Sequence, residues 1–216
     1  LDAAHARLMT VAADVDVSDH FLFGNRVRDL QRNDRDGHDS HGFDDLLLSC
    51  EEYAYLYLGP VSGSHSVTAA DSWAEIVYPY VESAGDVDGD GDDDVLMGTY
   101  YPTDDPLRAT IFLVESPWTK VGDPETFAVA EIDGDSDFRD PSISTGGADL
   151  NTDGMADIVY AGYLASGTEL FTAFMLGPIS GTMDAGDGDW FLRDPEPYTG
   201  LGYFGASVGD TNRDGN

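Results

Sequence analysis

The sequence predicts an all-β fold built from repeated units of about sixty residues, each contributing four short strands. Three observations lead there. Aspartate-rich loops recur in one register along the chain. Short apolar runs, separated by Gly, Pro and Asp, follow and precede those loops. No amphipathic helical stretch of useful length interrupts them.

Taken in order, Leu1 to Leu8 matches the segment that elsewhere follows a "GPxSG" turn, so the chain opens inside a unit. "FLFGNRV" at 21–27 is answered by "GYFGASV" at 202–208. "DDLLLS" supplies a strand. Tyr53, Tyr55 and Tyr57 then alternate with Ala54, Leu56 and Leu58, the period of a strand. "YLYLGPVSG" at 55–63 is answered by "FMLGPISG" at 174–181. "DVLMG" and "DIVYAG" are the strands that leave the two best-formed acidic loops.

Those loops read "GDVDGDGDDDVLMG" at 85–98, "ADLNTDGMADIVYAG" at 148–162 and "GDTNRDGN" at 209–216. Gly91, Gly154 and Gly215 share one position, at intervals of 63 and 61 residues, and Gly37 lies 54 residues before Gly91. The units are 1–58, 59–121, 122–181 and a truncated 182–216. Four short strands per unit with turn residues between them is the recipe of a β-propeller blade. Propellers carry roughly four to eight blades, so about three and a half blades are expected to be a piece of a longer protein.

Composition narrows the partners. A hydrophobic fraction of 41% over 216 residues is enough for a packed core. A net charge of -32 and a pI near 4.1 argue against nucleic acid or an anionic membrane surface as partner, because phosphates would be repelled. Metal cations are the natural counterpart. A salt-adapted surface is a second, compatible reading of the same charge. Cys50 is alone, which rules out an internal disulfide or a thiolate zinc cluster, and it reads as a small strand hydrophobe. No apolar run is long enough to cross a bilayer.

Six aspartates stand within the nine positions 86–94, a repulsion that a bound cation would relieve. Calcium takes about six to eight oxygens, and DxDxDGxxD aims alternate side chains into one turn. Asp86, Asp88 and Asp90 are expected to offer side-chain oxygens, Asp92 its carbonyl, and Asp94 a carboxylate, with Gly91 at the bend. The second loop offers Asp149, Asn151, Asp153, the carbonyl of Met155 and Asp157. The third begins with Asp210, Asn212 and Asp214. An EF-hand would need Glu at the twelfth position and a following helix; Met97 and Tyr160 stand there, ahead of strand-forming residues.

The loop at 29–45 is degenerate. In register with Gly37, Asp34 and Asp36 fit, but Arg32 and Ser40 occupy the first and ninth positions, so a cation would need Asp29 or Asp45. His38 and His41, three residues apart in a polar loop, read as solvated surface and not as a zinc pair. "GASVG" at 205–209 matches a nucleophile elbow around Ser207, but a metal loop follows it where a helix is required. It reads as a glycine-rich strand.

"YFGASVGDTNRDG" and "AGDVDGDGDDDVLMGTYYP" resemble the FG-GAP repeats of the integrin α-chain propeller and its bacterial integrin-like relatives. The likeness covers nearly the whole chain. Phe-Gly stands at 23–24 and 204–205 but is replaced near 77–81 and 141–144, and the "GAP" turn survives only as "GTY", "AGY" and "SCE". The resemblance implies four-stranded blades with a structural calcium loop between the first two strands. It also implies that partners meet the variable loops on the opposite face. The function expected from it is a non-catalytic, extracellular or cell-surface module that binds protein or glycan. The alternative is a propeller attached to a secreted polysaccharide lyase or hydrolase.

Overall fold

A computed structural model describes the backbone of residues 23–27, together with residues 45–50, 52–77, 79–99, 109–194, 202 and 205. These residues are all-β, without an α-helix among them, and form three sheets, none of them closed. The first sheet holds β1 (Phe23–Val27), β2 (Asp45–Ser49), β3 (Tyr53–Tyr57) and β4 (Ser72–Glu75). The second holds β5 (Pro79–Gly85), β6 (Asp94–Thr99), β7 (Thr110–Val114) and β9 (Ala130–Asp133). The third holds β10 (Phe138–Ala148), β11 (Asp157–Leu164), β12 (Leu170–Met175) and β14 (Trp190–Asp194). Within each sheet these four strands run antiparallel to their neighbours in chain order.

Two short strands tie successive sheets together. β8 (Val121–Gly122), on the stretch between β7 and β9 of the second sheet, pairs in parallel with β4 of the first. β13 (Gly181–Asp184), on the stretch between β12 and β14 of the third sheet, pairs in parallel with β9 of the second. Ser72 reinforces the first tie by donating its hydroxyl to the Lys120 carbonyl at 2.6 Å.

The sheets stack face to face, and the apolar runs follow from that. In β6, Val95 and Met97 pack towards the first sheet while Leu96 packs towards the third. In β7, Phe112 and Val114 face one way, Ile111 and Leu113 the other. A strand buried on both sides needs no polar alternation. The first interface closes over Leu47, Ala54, Leu56 and Trp118, and the second over Ile132, Ile158, Tyr160 and Phe171. Each fully buried side chain of this size contributes about 1.5–3 kcal/mol. On β14, Trp190 and Leu192 are 53% and 52% exposed. No further described sheet covers them.

The sheets occupy 23–75, 79–133 and 138–194, so each crosses a boundary between sequence units. β4, for example, completes the first sheet but lies in the unit 59–121. A repeat can be cut at any phase without altering its period, and the period alone does not mark where a sheet ends.

Candidate metal centre

Residues 86–93 join β5 to β6, and residues 149–156 join β10 to β11. Both acidic loops therefore connect the first and second strands of their sheets, and the two sheets are neighbours.

The turn closes because each side chain folds back onto the backbone. Asp86 accepts N–H bonds from Gly89 and Asp90 at one oxygen (2.7 and 3.0 Å) and from Gly91 at the other (2.9 Å). Asp88 accepts from Asp90 at 3.0 Å, and Asp90 from Asp92 at 2.9 Å. In the second loop Asp149 accepts from Asp153 and Gly154, Asn151 from Asp153, and Asp153 from Met155, at 2.9–3.2 Å. These are the local bonds that suit Asp and Asn to turns. Gly91 and Gly154, at φ +100° and +92°, hold a conformation that a Cβ would strain.

The side chains converge as a result. One carboxylate oxygen from each of Asp86, Asp88 and Asp90 lies within 4.8 Å of the others. Asp86 is half-buried, Asp88 and Asp90 are exposed, and Asp92 is buried. In the second loop Asn151 takes the central place and its amide nitrogen donates to Asp153 at 2.8 Å. A neutral residue there lowers the repulsion. Met155 is half-buried, and Asp149 and Asp153 are exposed.

The ninth-position aspartates sit beneath the loops. Asp94 is 1% exposed and accepts from the Val87 and Ser116 amides at 3.0 and 2.9 Å. Asp157 is fully buried and accepts from Leu150 and Gly177 at 2.6 and 2.9 Å. Both oxygens of each carboxylate thus hold a backbone N–H. Among the described residues, Asp86, Asp88 and Asp90 alone form a group of carboxylate oxygens close enough to hold a metal ion, and oxygen donors are the kind a hard cation takes.

Of the first loop the structure describes only its last residue. Asp45, which begins β2, occupies the place of Asp94 and Asp157: it is buried, and its carboxylate accepts the Gly59 amide at 2.7 Å. Ser40, given the ninth place by counting from Gly37, lies outside the described residues. Sequence spacing does not reveal the partners of these aspartates. Gly59, Ser116 and Gly177 each precede a proline, at Pro60, Pro117 and Pro178, just beyond the third strand. The Gly-Pro repeats were visible, but not that their amides face a buried carboxylate.

Burial, and then charge crowding, raises two carboxyls beside the first loop. Burial pushes the Asp94 carboxyl up to about 7, with Asp88 and Asp90 adding to the rise and the Ser116 and Val87 amides opposing it. Glu115 is raised by burial and then by Asp88 and Asp90. At the far end of the sheets a cavity of about 490 Å³ lies between the first two, lined by Glu52, Glu75, Thr99, Asp123 and Glu125. In a chain with 42 acidic residues such a lining is not diagnostic.

Asp210, Asn212 and Asp214 lie outside the described residues, as do His38, His41 and Ser207. No family model matches the chain, and neither curated proteins nor solved structures give a significant match.

Proposed function

We propose that this chain is a calcium-stabilised, non-catalytic segment of a β-propeller of FG-GAP blades, secreted or displayed on a cell surface as an adhesion or ligand-binding module. One observation carries the reading: the same oxygen-rich loop, folded by the same side-chain-to-backbone bonds, recurs at the same strand junction of adjacent sheets. Four-stranded antiparallel sheets stacked on one another are consistent with blades. Calcium neutralises the loops and the paired strands hold them in place. Protein or glycan partners then meet the opposite ends of the sheets.

The test is a thermal melt with calcium and with chelator, at matched ionic strength in NaCl to separate general screening from specific binding. Each filled site adds roughly 2.7 kcal/mol at a hundredfold excess over its dissociation constant. Asp90→Ala and Asp153→Ala each remove part of the calcium-dependent gain. Melts unchanged by chelator and by both substitutions would refute the assignment.

A further inference from the structure

We infer that the two described loops bind calcium cooperatively, through a peptide unit of the second loop that is hydrogen-bonded to the first. The inference rests on the calcium reading above and adds its regulation. The Ala156 amide donates to the Asp86 carbonyl at 2.7 Å, across the boundary between the second and third sheets. The same peptide unit carries the Met155 carbonyl, the seventh-position oxygen of the second loop. Its N–H therefore reaches the residue whose side chain organises the first loop through Gly89, Asp90 and Gly91.

The surrounding contacts leave little room for one loop to move without the other. A Cβ built on Gly89 would lie 3.4 Å from the Met155 Cγ. One built on Gly177, the partner of Asp157, would lie 2.9 Å from the Ala156 carbonyl oxygen and 3.0 Å from that of Val87. One on Gly85 would fall 2.6 Å from the Gly147 Cα, so the strands feeding the two loops meet backbone to backbone.

The sign follows from the chemistry of the amide. A cation on the Met155 carbonyl draws electron density from the peptide nitrogen and makes the Ala156 N–H a stronger donor, since linked hydrogen bonds polarise one another. A firmer bond to Asp86 fixes the first loop in its binding form. Linkage requires the reverse effect to be equal, so filling the first loop tightens the second by the same factor. Couplings of this kind begin at about fivefold.

The experiment is a calorimetric calcium titration in an Asp210→Ala, Asp214→Ala background, which silences the incomplete third loop. Asp90→Ala leaves the second loop to bind alone, and Asp153→Ala leaves the first. The coupling factor is the product of those two dissociation constants divided by the product of the stepwise constants with both loops intact. A factor of about five or more is expected. The Ala156 amide resonance is also expected to shift when calcium fills the first loop of the Asp153→Ala protein, a readout that needs no substitution at the contact. Binding in both single-loop proteins with a factor within about twofold of one, and an unmoved Ala156 resonance, would overturn the coupling and spare the calcium sites. Absence of calcium heat in every variant would overturn the sites and the coupling with them.

Discussion

Asp157→Ala separates the structural role of the acidic loops from their metal chemistry. The carboxylate is fully buried and accepts two backbone amides, from Leu150 within its own loop and from Gly177 beyond β12. Alanine supplies no acceptor, and each donor left without one costs about 1–3 kcal/mol. Both donors are only partly buried, so about 2–4 kcal/mol in total is the expected loss. That is a large share of the roughly 5–15 kcal/mol by which domains are stable. The loss should persist in excess chelator, because it does not pass through an ion. Asp88→Ala, which removes one exposed bond at 3.0 Å, should cost less than about 1 kcal/mol under the same conditions. Urea unfolding followed by tryptophan fluorescence gives both numbers. Equal midpoints for Asp157→Ala and the parent protein in chelator would show that the carboxylate does not clamp the turn, and the argument built on it would fail.

Two further outcomes follow from the geometry. Burial raises the Asp94 carboxyl to about 7 in the fold, against 3.8 for an ordinary aspartate. The folded, metal-free protein keeps a proton here that the unfolded chain loses, so this residue's contribution to stability declines as pH climbs from about 4 through 7, by at most about 1.4 kcal/mol per pH unit. Urea midpoints in chelator across that range should fall less steeply for Asp94→Asn, and calcium affinity should rise over the same range as the carboxyl ionises. Gly146→Ala places a methyl 2.5 Å from the Ser83 carbonyl oxygen and 2.7 Å from the Ala84 Cα, where only backbone can yield. A loss of about 1–3 kcal/mol or more is expected, and a melt unchanged by the substitution would show that the second and third sheets do not meet so closely.

The strands were legible where burial leaves a mark on composition. "DVLMG" and "DIVYAG" became β6 and β11, and the tyrosine alternation at 53–57 became β3. The loops were legible because aspartate at alternate positions around a glycine has few folded uses. Sheet boundaries were not legible, since β4 and β9 carry the plain sequences "SWAE" and "AEID" and draw their definition from partners on either side. The link strands were hidden for the same reason: "VG" at 121–122 has no strand signature, and only the free edge of β4 gives it one. The clamp on Asp45, Asp94 and Asp157 required knowing which amide lies opposite, which sequence spacing alone does not encode.

Those link strands impose an order on synthesis and on dissection. The rim of one sheet is finished by polypeptide that is already building its successor, so β4 stays bare until Val121–Gly122 has been made, and β9 until Gly181–Asp184. Excising a sheet at its last conventional strand would therefore leave a raw margin open to mispairing. The smallest piece worth isolating is one sheet plus the stretch of the next that reaches its link, an overlap that makes the array behave less like beads on a string than like clapboard.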